Sequence, residues 1–273
     1  LKERGIVESK KNKGYFIVSS DTNKQLKIAL LMYSFHRFQE EFYNTLREQL
    51  GEAVQIDVFF HHNNFEVFQT IFSNIYGKYG MYVVAPIENE RTKEILKTID
   101  KEKLIIVDRH LPIGDGYSYI TQEFEKTTFD KLEELLGGIK NYNEIVLFFR
   151  EDMDYPVGIL NAFKKFSSEK GVKSSVQKTY QIQSVRKNTL YLFINDSELW
   201  NLLKDCKNND LIIGKDVGIL SFNEHIFKEL VFGGITTIST DFKQMAREAA
   251  HCIQEKTTRQ IVIPTNLRRR NSL

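Results

Sequence analysis

Cysteine is scarce in this chain of 273 residues: Cys206 and Cys252 are the only two, and they stand far apart. Such usage suits a reducing compartment. No apolar run approaches the ~18 residues that a membrane-spanning helix needs, and no signal peptide opens the sequence, so the cytoplasm is the expected location. An excess of one charge is also missing. Lysine and arginine total 38 against 36 aspartate and glutamate, a net charge of +2, which gives the body of the chain no general affinity for nucleic acid. Neither a glycine-rich phosphate loop nor a nucleophile elbow occurs. His61 and His62 invite a metal reading, but neighbours on an extended segment point to opposite faces, and no cysteine or third histidine has metal-ligand spacing. Asp152 and Asp154 have no identifiable catalytic partners. No metal, no cofactor and no enzymatic activity are therefore expected.

What is present begins with a hairpin pattern. Gly5-Ile6-Val7-Glu8-Ser9 is a glycine stop followed by a short β-branched run, Lys10-Lys11-Asn12-Lys13-Gly14 is a basic turn, and Tyr15-Phe16-Ile17-Val18 is a second apolar strand. Two short strands around such a tip form a β-hairpin. Lys10, Lys11 and Lys13 at its tip are candidate contacts to a DNA phosphate backbone; a surface hairpin with scattered lysines is the plain alternative. No initiator Met stands at the start, so the chain is read as a fragment whose first domain precedes Leu1.

After a polar linker (21–25), strands and helices alternate over residues 26–273. Apolar strands are expected at 26–33, 54–60, 81–85 and 104–107, with helices of 3.6-residue spacing at 38–50, 65–76 and 90–99. The pattern then restarts. A helix at 123–136, ended by Gly137-Gly138, precedes strands at 145–149, 176–180, 189–194 and 217–222 and helices at 157–170 and 197–207. A short extended piece at 236–238, a helix at 242–255 and extended pieces at 261–263 and 267–270 follow. This βαβ alternation predicts an α/β fold of two lobes, each a parallel sheet flanked by helices.

In open parallel sheets, ligands bind outside the carboxyl ends of the strands. Those ends carry Ser34-Phe35-His36-Arg37, His61 to Asn64, Pro86-Ile87-Glu88 and Asp108-Arg109-His110 in the first half. In the second half they carry Arg150-Glu151-Asp152, Asn195-Asp196 and Asn223-Glu224. Carboxylates, amides, arginine and aromatic rings in one set are what a neutral sugar needs: planar polar groups for paired hydroxyls and flat faces for its C–H surface.

Two resemblances follow from these residues. The segments Arg4 to Ser9 and Lys13 to Val18 resemble the wing of GntR-type winged-helix transcription regulators, with the recognition helix lying before Leu1. Over most of residues 26–273 the chain resembles the effector-binding domain of the lactose-repressor family, which shares its type I fold with periplasmic sugar-binding proteins. Asn195-Asp196, Gly214 to Glu224, Ile235 to Asp241 and Leu267 to Ser272 carry that likeness, in order and at fitting spacing. It implies three crossovers, near Leu135, Ser239 and Thr257, with lobe 1 at about 26–135 and 240–257 and lobe 2 at about 136–239 and 258–273.

Carried over residue by residue, the resemblance implies that Asn195 and Asn223 bind sugar hydroxyls, and that Glu123 stands where the family has an aspartate near the cleft. It also implies that Phe35 and His36 follow the first strand at a ligand-contacting position. Pro86, from the third strand end, joins this candidate set. The family's usual arginine before the helix glycine, here Gly158, is replaced by Tyr155, so Tyr155 and Arg150 are candidates in its place, or the ligand differs. Asn195 is equally suited to capping the next helix, and the two roles are compatible. The implied function is a sugar-responsive bacterial transcription regulator. A small carbohydrate between the lobes, a pentose or a deoxyhexose, phosphorylated or not, changes the geometry of a homodimer and its grip on operator DNA. The competing reading is a sugar-binding protein of a transport system.

Overall fold

The structure, a computed structural model, describes residues 7–10, 14–17, 25–34 and 37–273, the first segment as backbone alone. Strands β1 (Val7–Lys10) and β2 (Gly14–Ile17) pair antiparallel, with Val7 opposite Ile17 and Lys10 opposite Gly14. Tyr15, Phe16 and Ile17 are exposed. Lys11 and Lys13, and the side chain of Lys10, lie outside the described residues, as do Phe35, His36 and nearly all of the expected linker.

The remaining chain forms two compact units. Unit 1 extends to Gln122 and takes in Asp241–Ile263; unit 2 is Glu123–Thr240 with Pro264–Leu273. Unit 1 contains β3 (Leu26–Met32), α1 (Arg37–Leu50), β4 (Val54–Phe60), α2 (Phe65–Ile75), β5 (Met81–Val84), α3 (Glu90–Leu96), β6 (Leu104–Asp108) and β7 (Ser118–Thr121). Unit 2 contains α4 (Glu125–Glu134), α5 (Leu136–Ile139), β8 (Glu144–Phe148), α6 (Val157–Lys170), β9 (Ser174–Gln177) and β10 (Thr189–Phe193). It continues with α7 (Asp196–Asn208), β11 (Val217–Phe222), α8 (Ile226–Leu230) and β12 (Thr236–Thr240). The chain then returns to unit 1 for α9 (Phe242–Glu255) and β13 (Gln260–Val262), and ends in unit 2 with β14 (Thr265–Arg268).

Each unit is built on a six-stranded sheet, in the order β13-β7-β6-β5-β3-β4 and β14-β12-β11-β10-β8-β9. The first is parallel throughout. In the second, β14 runs antiparallel to β12 at the edge. Alternate residues of one strand feed two cores. Leu30 and Met32 of β3 pack with Phe42 and Leu46 of α1 and Met245 and Ala249 of α9, while Ala29 and Leu31 face Phe68 and Phe72 of α2. Burial on both faces explains why this strand reads as an unbroken apolar run. In unit 2, Leu147 packs with Leu132 and Phe163, and Phe148 with Leu199 and Leu202. Among the described residues, no helix is long and apolar enough to cross a membrane.

Several boundaries differ from expectation. The first crossing falls at Gln122–Glu123 rather than near Leu135, because the helix after it packs on α6 within unit 2. Gly137-Gly138 do not end that helix but sit inside α5, where a Cβ on Gly138 would stand 3.4 Å from Leu273 Cγ. The third crossing comes at Ile263–Pro264 rather than near Thr257, because β13 pairs with β7 of unit 1. The strand expected at 176–180 ends at Gln177; the Tyr180 hydroxyl instead donates to Asp205 Oδ2 at 2.6 Å. Strand β7 and helix α8 were not anticipated.

Candidate functional site

Strand order reverses between β3 and β5 in unit 1 and between β8 and β10 in unit 2. The carboxyl ends of these strands are where an open α/β sheet presents ligand groups.

In unit 1, β3 is followed directly by Tyr33, which is buried, and whose hydroxyl donates to the carbonyl of Pro86. Pro86 is itself buried, so it positions Tyr33 rather than offering its own ring. The Arg109 guanidinium lies 4.3 Å from the Tyr33 ring centre, a cation–π geometry worth ~0.5–2 kcal/mol. Arg109 NH1 lies 3.6 Å from Glu88 Oε2. His61 meets Tyr33 edge-on, with ring centres 4.8 Å apart. Its Nδ1 accepts from the Asn63 amide at 3.2 Å and its Nε2 lies 2.9 Å from Ala85 O. That pairing requires the neutral Nε2–H tautomer, with Nε2 donating. His62 and Asn63 take left-handed φ values of 50° and 54°, so the two histidines share a tight turn rather than the extended segment expected; His61 is buried and His62 exposed. Among the described residues, no cluster of His, Cys, Asp or Glu has the arrangement of a metal site. Asp108, also at a left-handed φ of 68°, accepts from Gln122 Nε2 at 2.5 Å.

In unit 2 the structure brings Arg150, Tyr155 and Asn195 together. Asn195 Oδ1 caps α7 by accepting from the Ser197 amide at 2.8 Å, and the Asn195 side chain lies near the Tyr155 phenol. Burial, with the nearby negative charge of Glu198, pushes the Tyr155 phenol up to about 12, so it stays a neutral donor. Phe149 meets the Tyr155 ring edge-on at 5.7 Å. Arg150 forms a two-point pair with Asp152, at 3.0 and 2.5 Å, which raises the guanidinium above its ordinary value. Asn223 adopts a left-handed φ of 59° directly after β11 and ties its amide to Ile238 O at 2.9 Å.

Glu123 has a different part. Its two carboxylate oxygens accept from the amides of Lys126 and Thr127, at 2.9 and 2.7 Å, so it caps the first turn of α4. Glu224 is likewise engaged, by the Thr237 hydroxyl at 2.8 Å and Arg270 NH2 at 3.2 Å.

Sequence reasoning did not single out Tyr33, Arg109 or Lys228. Lys228 is fully buried. Its ammonium donates to Phe222 O and Asn223 O, both at 2.8 Å, and lies 2.6 Å from Asp196 Oδ1. It thereby ties the loop bearing Asn223 to the start of the helix that Asn195 caps. Burial lowers its ammonium from the ordinary lysine value, and Asp196 opposes that shift. Arg109 was visible as a strand-end residue; nothing in Ile226-Phe227-Lys228-Glu229 marks a buried lysine.

The family described as periplasmic binding protein-like domain matches residues 140–273. No curated protein matches the chain in sequence. A LacI family transcriptional regulator from Silicibacter pomeroyi superposes with a TM-score of 0.76 at 15% identity, over 90% of this chain and 98% of that one. A LacI family transcriptional regulator from Lactobacillus casei with bound glucose gives 0.76 at 14% identity, over 90% and 99%. The trehalose repressor from Escherichia coli gives 0.73 at 12% identity, over 89% and 100%. At such identities the likeness establishes the fold, which is the type I periplasmic-binding-protein fold.

Proposed function

We propose that this chain is the effector-binding part of a sugar-responsive bacterial transcription regulator. In this reading a small carbohydrate, a monosaccharide of the pentose or deoxyhexose class, is held by the carboxyl edges of both sheets. The observation that carries the proposal is the matching equipment of the two strand reversals. One bears a guanidinium, Arg109, laid over the buried Tyr33 ring that positions it; the other bears a neutral phenol with its ring, an amide and a guanidinium, Tyr155, Asn195 and Arg150. Rings take the C–H face of a sugar, while amides and guanidinium groups take paired hydroxyls. The similar solved structures with bound glucose and bound sucrose support a small carbohydrate as the ligand.

A ligand that binds one state of the chain more tightly than another shifts the balance between them by that difference. Coupling of ~1–3 kcal/mol then suffices to change DNA binding. The β1–β2 hairpin supports a GntR-type wing and, with it, a DNA-reading domain before Leu1; the same hairpin favours the regulator over the transport reading. Exposed Ile226, Phe227, Leu230 and Phe232 on and after α8 supply apolar surface for the homodimer. The chain performs no chemistry on its ligand and works in the cytoplasm.

A thermal-shift screen against common monosaccharides tests the reading. A specific sugar raises the melting temperature in proportion to the logarithm of its concentration above Kd. A flat response across pentoses, hexoses, deoxyhexoses and their phosphates would overturn it.

A further inference from the structure

We propose that unit 1 carries a second ligand site, on the amino edge of its sheet, for a small amphipathic anion: a carboxylate or phosphate on an apolar body. A cavity of about 910 Å³ opens there, within the ~300–1,000 Å³ usual for small-molecule sites. Its floor is apolar and buried, formed by Met81, Leu104, Ile105, Cys252 and Ile253. Its lining includes Lys101, Lys103 and Lys256 against Glu102, with Asp100 paired to Lys103 from outside the lining. Ser118, Thr257 and Thr258 also line it.

Local structure explains why the lysines gather. Lys101 and Lys103 belong to a single 3-10 turn that leads into β6. The stem of Lys101 lies over Gly116, where an added Cβ would come within 3.3 Å of Lys101 Cδ. Lys103 is held by Asp100 at 3.3 Å. Lys256 ends α9 in the left-handed conformation, φ 53°, and so turns the chain into Thr257-Thr258. An anion set among these groups is attracted by all three, most strongly where the buried floor excludes water. The floor in turn rewards an apolar body. A neutral sugar satisfies neither demand.

This cavity does not overlap the candidate sugar site. Strands β3, β5 and β6 each begin in its lining, at Leu26, Met81 and Leu104, and each ends beside the residues at the opposite edge: Tyr33, Pro86 and Arg109. A strand of seven residues such as β3 separates its two ends by about 20 Å. The cavity also touches the start of the first strand of the six-stranded sheet, Gln25-Leu26, and the link from α9 to β13, Lys256 to Thr258. An occupant therefore ties together the start of the sheet and the segment that precedes the crossing at Ile263–Pro264.

The test is calorimetric titration of the full chain with 1-naphthoate, and with 1-naphthalenemethanol as its uncharged counterpart. The proposal predicts saturable one-to-one binding of naphthoate and at least tenfold weaker binding of the alcohol. It also predicts at least tenfold weakening in the double variant Lys101→Ala, Lys256→Gly, in which glycine preserves the left-handed turn. Asn195→Ala leaves naphthoate binding unchanged, so failure of the sugar reading and failure of this one are separable. No saturable heat, as when a preceding segment of the chain fills the cavity, would overturn the proposal. So would equal affinity for acid and alcohol in the unaltered protein, or undiminished binding by a folded double variant.

Discussion

The Lys228 ammonium sits 2.6 Å from Asp196 Oδ1, in a side chain with no solvent exposure, while the Asp196 carboxylate keeps part of its surface in water. The pair joins the end of β11 to the beginning of α7, so the two loops bearing Asn223 and Asn195 are held by one buried charge. Breaking a buried pair by deleting one partner is costlier than the pair's net worth, because the remaining groups lose their compensation.

Lys228→Met keeps the stem and removes the ammonium. Phe222 O, Asn223 O and Asp196 then lose a partner at once. The expected loss of stability is about 3 kcal/mol, at the lower end of the range for broken buried pairs because Asp196 stays hydrated. Urea denaturation measures it. A change within experimental error would show that the lysine is dispensable to unit 2.

Ser272 anchors the end of the chain. Its hydroxyl donates to Ile219 O at 2.6 Å and accepts from the Thr236 amide at 2.7 Å, both inside unit 2. Ser272→Ala leaves a buried amide without its acceptor, at a cost of ~1–3 kcal/mol. The midpoint of chemical unfolding should fall with little change in slope. An unchanged midpoint contradicts this assignment.

Glu198 gives stability a pH dependence. Burial holds its carboxyl above the ordinary value of 4.5, opposed by a hydrogen bond from the Tyr180 backbone and by Arg150. Between 4.5 and the raised folded value, the folded state keeps a proton that the unfolded state releases, so stability falls as pH rises through that window. Glu198→Gln removes this loss and is the more stable protein at neutral pH. Unfolding midpoints from about pH 4 to about pH 8 decide the sign; a variant that is less stable at neutral pH would refute it.

Much of the fold was legible because buried parallel strands declare themselves as apolar runs. Leu26 to Met32 and Val217 to Phe222 were read to within a residue or so of their observed ends, as was helix 242–255. What escaped depended on distant partners. Ser118-Tyr119-Ile120-Thr121 is half polar, and it is a strand because β6 and the far-removed β13 flank it on either side. The crossings near 122 and 263 follow from which sheet β13 joins, a choice that local pattern does not encode. In the candidate site, Asn195 and Tyr155 were singled out by position, and the structure sets the Asn195 side chain near the Tyr155 phenol. The carboxylate of Glu123 was singled out as a ligand group, and in the structure the amides of α4 take it up. The buried state of Lys228 and the tautomer of His61 come from three-dimensional hydrogen bonding alone.

The most direct measurement is calorimetric titration of the sugar that emerges from a thermal-shift screen into three proteins: the unaltered chain, Arg109→Ala in unit 1 and Asn195→Ala in unit 2. If strand-end groups from both units hold the ligand, each substitution weakens binding at least tenfold, about 1.4 kcal/mol, in a protein that still unfolds cooperatively. Full affinity in either folded variant would contradict joint recognition by the two sheets.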